Sequence, residues 1–179
     1  MADGDPPLPG LAMVDPGFSG ALACRCGKVR MRLERPPLTR YFCHCPICQQ
    51  VYGRPFADAT VAWRFALEIE DPAQVVFRRQ RSLPFSVRCG TCRSCSGPVV
   101  GYTALLPFLD LALLPAHVYR NLSDLPPAVG HIFYDSRVGD VADDLPKYGG
   151  FLASEWGFAR FVLTGLAGRG TRPSGVADA

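Results

Sequence analysis

The chain has 179 residues, a net charge of +3, 48% hydrophobic residues and 20% charged residues. These values are typical of one globular domain with a hydrophobic core, and they exclude an intrinsically disordered chain. The most apolar stretch, residues 99–116, is interrupted by two prolines and an aspartate, which favours buried strands over a membrane span. The first ten residues are acidic and proline-rich, unlike a signal peptide, so we expect a cytoplasmic protein with reduced cysteines.

Short strands dominate the predicted elements. Residues 1–17 lack periodicity and are predicted to form a loose arm, and the zinc-binding domain is predicted over 18–150. Alternating apolar and charged residues predict a first strand at 28–34. Further strands are predicted at 39–42, 61–70, 75–77, 85–89, 99–103, 109–114 and 131–134. Within 61–70, the alternation places Phe65 on the same face as Val61 and Trp63.

The rhythm of short strands predicts an all-β fold of antiparallel sheets in a single domain. Only one helix is expected, over 154–163, in a segment at 151–164 that packs on the domain. Its single glycine weakens the helical pattern. Residues 165–179 are predicted to form a mobile tail.

Seven of the eight cysteines fall into three tight clusters. The clusters are Cys24 with Cys26, then Cys43 with Cys45 and Cys48, then Cys92 with Cys95. Thiols one or two residues apart on a turn can bind one zinc ion together. We disfavour a disulfide framework, because a chain of this length does not need covalent cross-links.

Counting ligands favours two zinc sites of different kinds. The two pairs complete one closed four-thiolate site, whereas the triplet leaves a zinc with an open position where chemistry can occur. Cys89 has three interpretations: a replacement ligand in the closed site, a fourth ligand for the triplet, or a small buried residue. His44 lies between two converging cysteines, so we expect its ring to point away, facing solvent or supporting the site from behind.

Five motifs occur in order along the chain. G-x-C-x-C-G-x-V-R is approximated from Gly20 to Arg30, and C-H-C-x-x-C spans Cys43 to Cys48, followed by Gly53. The others are C-x-x-C at Cys92 and Cys95, H-I-F-x-x-S-R at His131 to Arg137, and D-x-L-P-x-Y at Asp143 to Tyr148. Together they resemble the glutathione-dependent formaldehyde-activating (GFA) family, which also includes centromere protein V. The resemblance covers about residues 18–150.

The resemblance implies a zinc-braced β-tent with two zinc ions per chain. It implies a structural zinc bound by Cys24, Cys26, Cys92 and Cys95, and a catalytic zinc bound by Cys43, Cys45 and Cys48. It also implies a carbon–sulfur lyase-type activity, S-(hydroxymethyl)glutathione synthase-like, on a small thiol such as glutathione and a small aldehyde such as formaldehyde. His131 and Arg137 lie in a matched motif and are candidates for lining the substrate cleft.

The chain departs from the family pattern close to the predicted active site. Gln49 and Gln50 stand where family members often carry two arginines, and Cys89 stands where an arginine is common. These losses weaken the expectation of an acidic tripeptide substrate. Other arginines would then have to balance the negative charge of the thiolates at the site. The nearest in sequence are Arg25, Arg54 and Arg88.

Two other functions are compatible with the cysteine pattern. A non-catalytic zinc module could contact nucleic acid or an acidic protein through Arg78, Arg79, Arg81 and Arg88. Four scattered arginines are a weak signal, so we do not expect a nucleic-acid partner, nor a membrane partner. A redox thiol protein could instead use Cys89 and a neighbouring thiol as a disulfide pair.

Overall fold

The computed structural model describes residues 17–82, 85–104 and 110–167. Within these ranges the strands, in chain order, are β1 (Ala21–Ala23), β2 (Arg30–Leu33), β3 (Thr39–Cys43), β4 (Ala57–Trp63), β5 (Leu67–Ile69), β6 (Val75–Ser82), β7 (Phe85–Cys92), β8 (Pro98–Ala104), β9 (Asp110–Pro115) and β10 (Ala128–Ile132). The α-helices of the same ranges are α1 (Pro46–Tyr52) and α2 (Phe151–Ala167). The prediction of a single, mainly β domain is confirmed.

The strands form two sheets. A three-stranded sheet has the order β1-β2-β5, and a seven-stranded sheet has the order β10-β3-β4-β9-β8-β7-β6. Neighbouring strands are antiparallel except β10 and β3, which run parallel, so the expectation of purely antiparallel sheets is wrong for that pair. Strand β2 shows the predicted alternation, because Met31 and Leu33 are buried while Arg30 and Arg32 are exposed.

The predicted strand at 61–70 is wrong, because the chain leaves one sheet there and enters the other. Strand β4 ends at Trp63, a 3-10 turn covers Arg64–Ala66, and β5 begins at Leu67 in the smaller sheet. The turn buries Ala66 and leaves Phe65 69% exposed, stacked on Trp63, so the expected shared face is broken. The alternation of apolar and polar residues continues through this turn, so the sequence pattern does not show where β4 ends.

Helix α2 extends beyond the predicted helix at 154–163 at both ends. It packs on β3 and β10 and buries Phe158, Phe161 and Val162 against them. Gly157 fits the helix interior for a packing reason, because a Cβ there would lie 2.6 Å from the ring of Tyr148. The helix includes residues 165–167 of the predicted tail. The rest of that tail, and residues 1–16 of the predicted arm, lie outside the described ranges.

Two hydrophobic clusters form the core. One joins the small sheet to the large one and includes Leu22, Met31, Val99, Leu114 and Tyr119. The other lies beneath α2 and includes Tyr41, Val61, Leu111, Phe158 and Phe161. In the described part of the chain, neither helix has the length and apolar character needed to cross a membrane.

Candidate metal centres

Four cysteines from two distant turns converge at one end of the molecule. Cys24 and Cys26 lie in the turn between β1 and β2, and Cys92 and Cys95 lie at the end of β7 and in the turn before β8. Their sulfur atoms all lie within 4.8 Å of one another. The Sγ separations are 3.4 Å for Cys24–Cys26, 3.6 Å for Cys24–Cys92 and 3.7 Å for Cys26–Cys92.

These separations fit a tetrahedral zinc site. A zinc with four sulfurs at about 2.3 Å has S–S edges of about 3.8 Å. The turn around Cys24 is also shaped for the role, because Gly27 takes a φ of 73° and the Val29 N–H donates to the Cys24 sulfur at 3.2 Å. The four-sulfur cluster could therefore hold a metal ion between the two sheets.

The protons of this cluster are unevenly distributed. Burial raises the pKa of Cys24, but the Val29 N–H and the neighbouring thiols outweigh it and lower that pKa to about 6. The Lys28 N–H lowers the pKa of Cys26, yet hydrogen bonding to Cys24 and other thiols raises it to about 12. The local hydrogen bonds thus favour a thiolate at Cys24 and a protonated thiol at Cys26, and a divalent cation displaces the remaining protons when it binds.

The cysteine triplet lies on a single segment between β3 and α1. Cys43 is the last residue of β3, and Cys45 caps α1, its sulfur accepting from the Cys48 N–H at 3.4 Å. The three sulfurs lie within 4.8 Å of one another. Among the residues that the structure describes, no fourth cysteine, histidine, aspartate or glutamate completes this group.

Helix α1 was missed by the sequence analysis, although its signals are present. Pro46 occupies the first turn, where its missing N–H costs no hydrogen bond. Gly53 ends the helix in the left-handed region, with a φ of 60°, and its N–H donates to the Gln49 carbonyl. The helix turns the Cys48 sulfur back toward Cys43 and Cys45, so the short element shapes the triplet.

One member of the triplet carries the negative charge. Hydrogen bonds from the thiols of Cys43 and Cys48 lower the pKa of Cys45 to about 3. Hydrogen bonding to Cys45 raises the pKa of Cys43, and hydrogen bonding to Cys43 and Cys45 raises that of Cys48. A thiolate that accepts hydrogen bonds from two neighbouring thiols is a sulfur donor set that suits a soft divalent cation.

Cys89 belongs to neither sulfur group. It lies half-buried on β7, and burial raises the pKa of its thiol. Of its three interpretations, the small buried residue fits this position, because its sulfur completes neither cluster. Cys89 nevertheless lines the same cavity as the triplet.

A cavity of about 410 Å³ opens beside the triplet. All three cysteine side chains line it, and β3, β4, β7, β8 and β9 supply most of its floor. Helix α1 and the first turns of α2 form its walls, including Phe151 and Phe158. The candidate metal centre therefore faces a partly open cavity large enough for a small-molecule ligand.

A chain of polar side chains lies behind the triplet. His44 Nε2 is 2.9 Å from His131 Nδ1, and His131 Nε2 is 2.9 Å from Asp143 Oδ2. Lys147 Nζ donates to Asp143 Oδ1 at 2.7 Å. Of the two roles expected for His44, facing solvent is wrong, because the residue is only 1% exposed. Its ring lies outside the cavity lining and contacts His131, as a residue that supports the triplet from behind would.

The two candidate substrate residues lie outside the cavity lining. His131 is fully buried in the polar chain behind the triplet. Arg137 pairs with Asp140, and its guanidinium lies 4.6 Å from the centre of the Tyr134 ring. The structure therefore places His131 in the support behind the triplet and Arg137 against Tyr134, and neither residue lines the cavity.

Gln49 is a support residue that the sequence analysis missed. Its side-chain amide donates to the His44 carbonyl at 2.6 Å and to the Ser136 carbonyl at 2.7 Å. These bonds tie α1 to the segment after β10. The sequence signalled Gln49 only as a departure from the family pattern, without indicating these partners.

The fold and the two sulfur clusters define a β protein equipped for metal binding. The sequence model of the glutathione-dependent formaldehyde-activating enzyme family matches residues 20–136, which is more than half of the chain, and the protein belongs to this family. Among solved structures, the chain is similar to a crystal structure of a Rhodobacter sphaeroides protein from structural genomics. The TM-score is 0.47 and the identity 19%, over 60% of this chain and 96% of that chain. No curated protein matches the chain.

Proposed function

We propose that this protein is a zinc-dependent carbon–sulfur lyase-type enzyme that joins a thiol to a small aldehyde and cleaves the adduct. Family membership supports this class of reaction. The observation that carries the proposal is the triplet, whose three sulfurs converge at the wall of a cavity with no fourth protein ligand among the described residues. We also place the protein in the cytoplasm, where thiols stay reduced.

The two sulfur clusters take different parts in the proposal. Cys24, Cys26, Cys92 and Cys95 would hold a structural zinc, and Cys43, Cys45 and Cys48 would hold a catalytic zinc. Bound by these three thiolates, zinc would offer a further position to an incoming thiol and would lower the pKa of that thiol.

The reaction needs little from the chain beyond binding and positioning. A bond forms between the thiol sulfur and the carbonyl carbon, the carbonyl π bond opens, and the thiol proton ends on the new hydroxyl oxygen. Cleavage reverses these steps.

Tyr41 and Tyr52 line the cavity, and burial raises the pKa of each phenol well above its usual value. Both phenols therefore keep their protons and add no charge beside the reacting sulfur.

The support behind the triplet positions the sulfurs. The Cys48 N–H donates to Cys45, and Gln49 holds the carbonyl of His44 between the first two cysteines. His44 is in turn held by His131, whose other ring nitrogen is held by Asp143. A loop anchored on several sides keeps its three thiols converged without help from the substrate.

The test is to mix zinc-loaded protein with glutathione and carbon-13 formaldehyde and to follow the hydroxymethyl adduct by NMR. We expect adduct formation or exchange above the rate without protein. Cys45→Ser should abolish the acceleration, whereas Gln50→Ala, at an exposed position of the same helix, should retain it. Rates equal to the uncatalysed reaction for every thiol tried would reject the proposed function.

A further inference from the structure

The cavity beside the triplet is apolar on nearly every side. Its strand floor and its helical walls contribute small aliphatic and aromatic side chains, among them Ala59, Val87, Leu113, Val51, Phe133 and Phe158. Besides the cysteines and tyrosines, the polar side chains among the described lining residues are Gln80, Thr103 and Glu155. A ligand that fills this space exchanges water for hydrocarbon contacts, which favours apolar groups.

The cavity also lacks a cation for an acidic ligand. Within the described part of the chain, no arginine, lysine or histidine lines it. Its one carboxyl side chain there is Glu155, on α2, and burial raises the pKa of that group. A ligand carboxylate would lose hydration in the cavity and meet another carboxyl group, and the described lining residues offer no opposite charge in compensation.

The arginines that sequence proximity suggested are placed elsewhere. Arg25 and Arg54 are exposed and absent from the cavity lining. Arg88 lies on β7 between the lining residues Val87 and Cys89, so it points to the opposite face of the sheet. There its guanidinium lies 5.0 Å from the centre of the Phe77 ring.

We propose that the substrate of this site carries an uncharged apolar group, alkyl or aryl, in place of the charged tripeptide of glutathione. This inference rests on the proposed function and names the class of thiol that the triplet receives. The thiol sulfur meets Cys43, Cys45 and Cys48, and the apolar group occupies the space between Val87, Leu113 and Phe158. The cavity of about 410 Å³ accommodates a benzyl or short alkyl chain.

Gly101 offers a direct way to change this space. It pairs with Cys89 on β7 and Leu113 on β9, at the floor of the cavity. A Cβ there would lie 3.4 Å from Leu113 and 3.5 Å from Val87, which is ordinary contact. A valine at this strand position therefore meets no backbone clash, and its methyl groups take space from the ligand.

The experiment measures thiol binding to the zinc-loaded protein by isothermal titration calorimetry under reducing conditions. Benzyl mercaptan and glutathione are the two probes. We expect a Kd for benzyl mercaptan at least about tenfold below that for glutathione, because burial of its ring has no charge penalty. Gly101→Val should raise the Kd of benzyl mercaptan about fivefold or more, at unchanged zinc content.

Glu155→Gln is a second variant that leaves the apolar lining in place. It should lower the Kd of glutathione relative to that of benzyl mercaptan, because it removes the carboxyl group from the cavity. Arg88→Gln is the matched control on the opposite face of the sheet. It should change neither Kd, whereas a loss of glutathione binding there would support recognition through the arginines and contradict the inference.

The outcomes separate this inference from the proposed function. Glutathione binding as tightly as benzyl mercaptan, with adduct formation intact, overturns the apolar substrate and leaves the proposed function standing. Benzyl mercaptan binding as expected, without any adduct when benzyl mercaptan replaces glutathione in the NMR assay, supports the apolar site and rejects the reaction. Absence of binding by either thiol overturns both.

Discussion

Cys95→Ser removes one of the four sulfurs that join the two sheets. Cys24 and Cys26 belong to the turn of the three-stranded sheet, while Cys92 and Cys95 belong to the seven-stranded sheet. Zinc binding of this kind contributes about 10–16 kcal/mol in small zinc domains, as much as the whole stability of an ordinary domain. If one ligand accounts for a quarter of that energy, the loss is about 2.5–4 kcal/mol. The melting temperature should then fall by about 5–16 °C.

Cys45→Ser is the matched comparison, because it removes a sulfur from the other cluster. All three sulfurs of the triplet belong to residues 43–48, so a metal bound there would hold no distant elements together. We expect a cost below about 2 kcal/mol, within the ordinary range for a single substitution. Activity should be lost while the fold is kept.

The assay combines elemental analysis with thermal unfolding of both variants and the parent protein. The parent should contain two zinc ions per chain. Each variant should lose about one, but only Cys95→Ser should show the large fall in melting temperature. Equal falls in the two variants, or two zinc ions retained by Cys95→Ser, would refute the separation of structural and catalytic centres.

Two further predictions concern the support of the site. Hydrogen bonds from Lys147 and then His131 lower the pKa of Asp143 from 3.8 to about 2. The folded state therefore gains from the Asp143 carboxylate above about pH 4 and loses this gain as the pH falls toward 2. In urea titrations, the stability difference between the parent and Asp143→Asn should shrink over that range; a constant difference would contradict this reasoning. Gly157→Ala should destabilise by about 1–3 kcal/mol, although alanine normally favours helices, because its Cβ would meet a tyrosine ring at 2.6 Å. Gly139→Ala, in open space, is its thermal-unfolding control, and equal stabilities of the two variants would remove the packing argument.

The cysteine spacing was the most informative property of the sequence. Residues one to three positions apart cannot separate far, so a C-x-x-C or C-x-C segment already brings its sulfurs close. Counting ligands then grouped Cys24 and Cys26 with Cys92 and Cys95, whose sulfurs the structure places within 4.8 Å. Alternation likewise predicted which side chains of β2 are buried, because successive residues of a strand face opposite sides.

The break in the predicted strand at 61–70 shows where local patterns stop being sufficient. Alternating hydrophobicity describes which way a side chain points, without describing which sheet receives the strand. Only the packing of the two sheets moves the chain through Arg64–Ala66 and exposes Phe65. Alternation likewise does not specify which strands become neighbours, so it could not predict the parallel pairing of β10 with β3.

The character of the cavity belongs to the tertiary structure entirely. Its lining comes from strands and helices spread over residues 41–158, and the side chains are ordinary hydrophobic residues with no motif of their own. The contact between His44 and His131 joins positions 87 residues apart. Short-range spacing can specify a metal-binding loop because few bonds separate its ligands, but the space in front of that loop depends on how distant segments pack against one another.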